Sequence, residues 1–245
     1  MQLIDTDCVV VGAGLVGCIA ALGLSQIGFR VQIIETDRCG TEIPEDARSL
    51  VLSSASIQIL KALHIWPQLA ESAYSIKDVR VSEKGAYGSV LLSAQEAGMD
   101  ELGCSYPAGK LLSVLRKAVV KDQNILVHDK TSFTGFDEYD DRCEVSIIDD
   151  GGTSKVTTQF LIGADGLESS VRSALGASLS TLCYGQHAVV AKLTTSTPCN
   201  HRAYEHFTGQ GPLAFIPIGL NTYTSVQCVD VKTVTMHLPC QTTLI

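Results

Sequence analysis

The N-terminal stretch alternates between apolar runs and glycine-rich breaks. Residues 6–11 form a short apolar run of the kind found in central parallel strands. Residues 15–27 have the length and apolar character of a buried helix, and Gly28 is placed to end it. Residues 31–35 are a second apolar run. The pattern predicts a strand, a tight turn, a helix and a second strand, which together make a βαβ unit.

Three glycines with the spacing Gly-x-Gly-x-x-Gly occupy the predicted turn. Gly12 is expected to allow the tight turn, Gly14 to let a pyrophosphate approach the backbone, and Gly17 to let the helix pack on the sheet. Glu35 ends the second strand, where a carboxylate accepts hydrogen bonds from both hydroxyls of an adenosine ribose and repels a 2′-phosphate. The turn is therefore predicted to bind NAD or FAD, with NADP disfavoured.

A second motif lies at residues 160–172, where an apolar strand leads into Gly-Ala-Asp-Gly. The strand is expected to deliver Asp165 and Gly166 to the carboxyl edge of the sheet, where ligands of open α/β sheets bind. Ser169 or Ser170 is expected to cap the helix that follows.

This second motif, followed by Ser-x-Val-Arg, resembles the second cofactor motif of the group A flavoprotein monooxygenases, the aromatic hydroxylases related to para-hydroxybenzoate hydroxylase. The resemblance implies that Asp165 contacts the ribityl chain of FAD, with Gly166 beside it. Residues 45–53 are similar to the Asp-x-Arg-x-x-x-Leu-Ser element of the ubiquinone-biosynthesis branch, which places Arg48 beside the cofactor. Residues 206–217 are similar to a further run of that branch.

The resemblance implies a fold and a reaction. The fold class is α/β, with a Rossmann-like FAD-binding domain of the glutathione-reductase type interleaved with a β-sheet substrate domain. The implied reaction uses FAD, NAD(P)H as electron donor and O₂ to hydroxylate an aromatic ring, as in the 2-octaprenyl-phenol hydroxylases of ubiquinone biosynthesis. Because the cofactor carries this chemistry, no catalytic side chain and no metal site are assigned.

The apolar pattern also suggests a domain division. Residues 1–75 and 103–179 are expected to form the discontinuous FAD-binding domain, and residues 76–102 and 180–230 the sheet of the substrate domain. Helices are expected at residues 55–63 and 107–120, and strands at residues 77–93, 125–129, 143–148, 155–163, 185–194, 203–208, 213–218 and 222–229. Residues 231–245 have little helical or strand pattern and are expected to be an irregular tail.

Composition narrows the function classes and the partners. The chain is 45% hydrophobic with a net charge of −8, which excludes a disordered chain and argues against nucleic acid as a partner. Its nine cysteines contain no Cys-x-x-Cys pair, so buried free thiols in a reducing cytoplasm are expected. The expected partner is a small aromatic molecule. A polyprenylated substrate would add peripheral contact with the inner membrane or with a ubiquinone-biosynthesis complex.

One departure from the resembled family leaves alternatives open. The family carries a third cofactor motif, Gly-Asp-Ala-Ala-His, but this 245-residue chain has no Gly-Asp dipeptide. One hypothesis is therefore a truncated, catalytically inactive remnant that binds at most the adenosine end of a dinucleotide. An NAD-dependent dehydrogenase is disfavoured by the Gly-Ala-Asp-Gly motif.

Overall fold

The computed structural model describes residues 6–39 and 48–230, which divide into two compact units. Of these residues, the first unit contains 6–39 and 111–180, and the second contains 48–110 and 181–230. Both units are discontinuous in sequence, because the chain leaves the first unit, enters it again and then returns to the second.

Strands outnumber helices in the part of the chain that the structure describes. In chain order the strands are β1 (Thr6–Val11), β2 (Val31–Ile34), β3 (Ser49–Ser53), β4 (Tyr74–Ile76), β5 (Asp78–Glu83), β6 (Val90–Ser93), β7 (Gly103–Pro107), β8 (Ile125–His128), β9 (Ser132–Glu138), β10 (Cys143–Asp149), β11 (Gly152–Gly163), β12 (Gln186–Thr194), β13 (Arg202–Thr208), β14 (Gly211–Gly219) and β15 (Thr222–Asp230). The helices are α1 (Leu15–Gln26), α2 (Ser54–Ala62), α3 (Ala108–Lys121) and α4 (Ser170–Ala174), with short 3-10 helices at Trp66–Gln68 and Ala70–Ser72. Within these described residues, no helix is long and apolar enough to cross a bilayer.

The first unit is built on a six-stranded sheet with the order β8-β2-β1-β11-β10-β9. β1 pairs in parallel with both β2 and β11, and β2 pairs in parallel with β8. β9 and β10 extend the sheet as antiparallel strands. Val9 and Val10 of β1 are fully buried, which explains why this strand is a continuous apolar run. The predicted βαβ unit is confirmed, since α1 connects the parallel strands β1 and β2.

An apolar cluster holds the strand ends of this unit in place. Its buried members come from four strands and α4, and they are Val9, Val11, Ile34, Cys143, Val145, Ile147, Val156 and Val171. Ile34 directly precedes Glu35, and Val171 lies in the helix that follows Asp165. Packing of this cluster therefore fixes the main chain next to Glu35 and Asp165.

The second unit contains a six-stranded sheet with the order β12-β15-β14-β13-β5-β6 and a three-stranded sheet with the order β3-β7-β4. Neighbouring strands are antiparallel except for β13 and β5, which pair in parallel. The hydroxyl of Tyr223 donates to the main-chain oxygens of Cys199 and Arg202 at 3.4 and 3.2 Å. The β-rich pattern predicted after residue 185 is confirmed by β12, β13, β14 and β15.

The sequence did not predict β3, β4, β7 and β9 as strands. These short strands lack a clear apolar alternation, and β3 and β4 are each held by pairing with β7. A Cβ at Gly103 of β7 would overlap the carbonyl oxygen of Leu52 in β3, so the two backbones approach more closely than other residues allow. The helix expected from residue 107 begins at Ala108, because Pro107 is the last residue of β7.

The compact units also divide the chain differently from the expected domains. Residues 48–75 and 103–110, which the sequence assigns to the FAD-binding domain, belong to the second compact unit, and the assignment of the domains to FAD and substrate stays a prediction. Side-chain bonds show why: the hydroxyl of Ser105 donates to the carbonyl oxygen of Pro217 at 2.5 Å, and the hydroxyls of Ser49 and Thr224 are 3.1 Å apart. The small sheet is thereby joined to the large sheet of the same unit. The expected tail at residues 231–245 lies outside the described residues.

Candidate functional site

The turn between β1 and α1 requires glycine at two positions for steric reasons. Gly12 has φ +100°, and a Cβ there would come within 2.5 Å of the carbonyl oxygen of Ala164. A Cβ at Gly17 would overlap the carbonyl oxygen of Gly12 and lie 3.0 Å from its carbonyl carbon. The tight turn and the close packing of the helix that the sequence predicted at these positions are therefore present.

Gly14 differs from the other two glycines because no atom lies within 4 Å of the position where its Cβ would be. It is the N-cap residue of α1, with φ −72°, and nothing in the backbone conformation demands glycine there. No side chain caps this helix end, and its first turn carries no acidic residue. The open space and the free helix dipole together suit an approaching anion.

Glu35 follows β2 and is buried, with 8% of its surface exposed. Its Oε2 accepts a hydrogen bond from the main-chain N–H of Ala13 at 2.5 Å, which ties the end of β2 to the glycine turn. Its Oε1 accepts from the N–H of Asp37 at 3.0 Å and from the hydroxyl of Thr36 at 3.3 Å. The carboxylate is thus held by three residues of its own βαβ unit.

Arg116 of α3 also lines the site, and none of the sequence motifs predicted it. Its guanidinium Nη2 lies 3.4 Å from Oε2 of Glu35, and its Nε donates to the carbonyl oxygen of Ala13 at 2.9 Å. The signal available in the sequence was its place on the apolar side of the helix, next to the buried Leu115 and three residues before the buried Val119. A buried arginine in such a stripe needs a partner.

Asp165 lies in the segment between β11 and α4, and its carboxylate binds the start of that helix. Oδ1 accepts from the hydroxyl of Ser169 at 2.5 Å, and Oδ2 accepts from the N–H and the hydroxyl of Ser170 at 2.6 and 2.8 Å. Partial burial favours a higher pKa, but the bonds from Ser169, Ser170 and the N–H of Val171 outweigh it, so the pKa of Asp165 lies below its usual value. Gly166 follows with φ +85°.

Ser169 is the residue that caps α4, since its hydroxyl accepts from the N–H of Arg172 at 3.0 Å. The sequence had left Ser169 and Ser170 as alternatives for this role. The structure gives Ser170 a different contact, because its N–H and hydroxyl both bind Asp165.

A cavity of about 510 Å³ brings most of the predicted site residues together. Its lining includes Gly12, Gly14, Glu35, Asp165 and Gly166. Gly17 does not line the cavity, since its role is to pack α1 against the turn.

Arg48 is, besides Gly17, a predicted site residue that does not line this cavity. It belongs to the second unit, directly before β3, where its carbonyl oxygen accepts from the N–H of Ala108 at 3.1 Å. Its expected role beside the cofactor stays a prediction.

The cavity has the features that the adenosine and pyrophosphate half of FAD needs. The carboxylates of Glu35, Asp165 and Glu168 make much of the lining acidic, which suits hydroxyl groups and disfavours phosphates. The parts of the lining that favour an anion are the uncapped start of α1 beside Gly14 and the guanidinium of Arg116. A ribose near Glu35 and a pyrophosphate near Gly14 are therefore compatible with the residues present.

The cysteines of the first unit do not contribute a reactive thiol to the site. Burial raises the pKa of both Cys18 and Cys39 to about 12, although the nearby charge of Arg116 acts to lower it. Thiols with such a pKa are neutral and are poor nucleophiles at physiological pH. Among the described residues, no group of three or more His, Cys, Asp or Glu side chains is arranged to hold a metal ion.

Curated proteins resemble this chain in sequence. The chain is 28% identical over 218 residues to 3-demethoxyubiquinol 3-hydroxylase of Escherichia coli K12, covering 87% of this chain and 54% of that protein. It is 30% identical over 237 residues to ubiquinone hydroxylase UbiL of Rhodospirillum rubrum, covering 86% of this chain and 49% of that protein. The chain thus spans about half the length of the curated relatives it matches.

The fold matches a solved structure as well. The crystal structure of p-nitrophenol 4-monooxygenase PnpA from Pseudomonas putida DLL-E4 superposes with a TM-score of 0.78 at 17% identity, covering 98% of this chain and 62% of that one. At this identity the likeness establishes the fold. Residues 5–235 match the family described as FAD binding domain, and this chain therefore belongs to that family.

Proposed function

We propose that this chain binds FAD and supplies the cofactor site of a monooxygenase that hydroxylates an aromatic ring with NAD(P)H and O₂. The observation that carries the proposal is that Gly14, Glu35 and Asp165 line the same cavity. The proposed substrate is a polyprenylated phenol of ubiquinone biosynthesis, which is supported by one relative named as a 3-demethoxyubiquinol 3-hydroxylase and another named as a ubiquinone hydroxylase.

Each part of the cavity is assigned to a part of the cofactor. The N–H groups at the start of α1, beside Gly14, would bind the pyrophosphate, and Glu35 would accept the hydroxyls of the adenosine ribose. Asp165 and Gly166 would lie toward the flavin half, and Arg48 is proposed to lie beside it. FAD supplies the redox chemistry when bound, while these residues bind and orient it.

The second unit is proposed to carry the substrate domain. The part assigned to it is the six-stranded sheet formed by β12, β15, β14, β13, β5 and β6. Because a polyprenylated substrate is hydrophobic, the protein is also proposed to contact the inner membrane or a ubiquinone-biosynthesis complex.

The first test is whether the purified chain retains FAD. The chain is incubated with FAD and desalted, and its visible absorption spectrum is recorded next to the spectra of Glu35→Gln and Asp141→Asn. Asp141 is the matched control, because its carboxylate lies in the same unit and is 77% exposed. Retained flavin in the wild type and Asp141→Asn, with less in Glu35→Gln, is the expected result, and NADH and NADPH oxidation are then assayed.

A parallel titration with ADP separates the alternatives. If the chain binds ADP but retains no flavin, it binds only the adenosine end of the cofactor and the monooxygenase proposal fails for this chain. If it binds neither molecule while circular dichroism shows a folded protein, the assignment of the cavity fails as well.

A further inference from the structure

Arg116 is a buried cation that binds two parts of the candidate nucleotide site at once. Its Nε donates to the carbonyl oxygen of Ala13 at 2.9 Å, and its Nη2 lies 3.4 Å from Oε2 of Glu35. Both side chains of this ion pair are only 9% exposed. Arg116 also lines the cavity, and through these two contacts it links the glycine turn to the end of β2.

The contacts of Glu35 determine which of its oxygens a ligand can reach. Oε2 is occupied by the N–H of Ala13 and by the guanidinium of Arg116. Oε1 accepts from the N–H of Asp37, which is fixed main chain, and from the hydroxyl of Thr36, which is free to rotate. Thr36 is exposed and lines the cavity, so a ribose hydroxyl can replace its 3.3 Å bond without breaking the others.

Within the part of the chain that the structure describes, the carboxylate that pairs with Arg116 is that of Glu35. The acidic groups that act on the thiols around Arg116 are Glu35 and Asp129, while the thiols of Cys18 and Cys39 are kept neutral by burial. The carboxylate of Asp129 accepts a hydrogen bond from the N–H of Cys39 at 2.9 Å. A buried carboxylate without a partner is costly, and Nη2 of Arg116 supplies the partner of Glu35. Nε of the same guanidinium donates to the carbonyl oxygen of Ala13, which fixes the position of the arginine.

We propose that Arg116 is a positioning residue that holds Glu35 with Oε1 toward the cavity, so that the site recognises a ribose with a free 2′-hydroxyl. The ligand class is an adenosine nucleotide without a 2′-phosphate. This inference rests on the proposed function, because it concerns the same cavity. It adds that a residue of α3, a helix outside the βαβ unit, determines how well the site distinguishes nucleotides with and without a free 2′-hydroxyl.

The test compares the binding of ADP and 2′-deoxy-ADP by isothermal titration calorimetry. Wild type is expected to bind ADP at least about tenfold more tightly than 2′-deoxy-ADP. Of the two nucleotides, only ADP has a 2′-hydroxyl that can donate a charge-assisted hydrogen bond to Glu35. In Arg116→Met the ratio of the two dissociation constants is expected to fall to about two or less. Lys117→Met, which removes an exposed charge from the adjacent position of α3, is expected to keep the wild-type ratio.

Arg116→Lys keeps the charge but loses the fork that binds Ala13 and Glu35 together, so an intermediate ratio is expected. This variant also serves if Arg116→Met does not fold, as judged by circular dichroism and thermal melting. A purely structural role would weaken the binding of both nucleotides by the same factor in Arg116→Met, or leave the ratio of Arg116→Lys at the wild-type value. Either result overturns the inference.

The wild-type data separate failure of the inference from failure of the proposed function. If wild type binds ADP and 2′-deoxy-ADP equally well, the cavity is a nucleotide site, but Glu35 and Arg116 do not recognise the 2′-hydroxyl of the ribose. If wild type binds neither nucleotide, the proposed cofactor site fails, and the inference fails with it.

Discussion

Substitution of Gly14 by alanine separates a ligand requirement from a folding requirement. No atom lies within 4 Å of the added Cβ, so the substitution costs only the lower preference for alanine at an N-cap, about 0.5–1 kcal/mol. If the pyrophosphate of FAD approaches the backbone at this residue, the methyl group occupies its space. A loss of at least about tenfold in FAD affinity, or about 1.4 kcal/mol, is expected.

Two other glycines of the same segment calibrate this prediction. Gly17→Ala places a Cβ on the carbonyl oxygen of Gly12, so β1 and α1 must separate, and a loss of about 3 kcal/mol in the free energy of unfolding is expected. Gly23→Ala lies in the middle of α1 with nothing within 4 Å, so a gain of about 0.5–1 kcal/mol is expected without any effect on FAD.

The assay is urea unfolding followed by circular dichroism, together with FAD titration followed by flavin fluorescence. The reasoning is refuted if folded Gly14→Ala binds FAD within about twofold of wild type. It is refuted as well if Gly17→Ala lowers the free energy of unfolding by less than about 1 kcal/mol, since the main chain would then have moved away from the added Cβ at little energetic cost.

Further predictions concern stability and thiol reactivity. Because the pKa of Asp165 is depressed below 3.8, the stability that its carboxylate contributes is complete above that pH and is lost as the pH falls through the folded-state value. The difference in urea midpoint between wild type and Asp165→Asn should therefore shrink from neutral pH to about pH 3, and an unchanged difference would contradict the assignment. Cys183 is exposed, whereas burial raises the pKa of Cys8 to about 11 and that of Cys18 to about 12. Brief alkylation at about pH 8 followed by peptide mass spectrometry should modify Cys183 and spare the other two, and equal labelling would show that the core opens. Leu115→Ala should lower the free energy of unfolding by about 2–5 kcal/mol in a urea titration, because the side chain is fully buried.

The sequence determined the local units of this protein. The apolar run of β1, the glycine turn and α1 are encoded within a few neighbouring residues, because tight turns and close helix packing demand glycine at Gly12 and Gly17. The Gly-Ala-Asp-Gly segment and the β-rich region after residue 185 could be recognised in the same way. Glu35 could be placed at the end of β2, since the spacing between strand and acid is fixed by the βαβ unit.

Tertiary structure alone decided which distant residues meet. The short strands β3 and β7 carry little pattern of their own and are fixed by pairing across intervening chain, as is the parallel pairing of β13 with β5. Spacing predicted that Glu35 and Asp165 are at the sheet edge, but not that Arg116 binds Glu35 or that Asp165 binds the start of α4. The position of a side chain along a helix or strand shows which face it occupies, while its partner depends on how the elements pack.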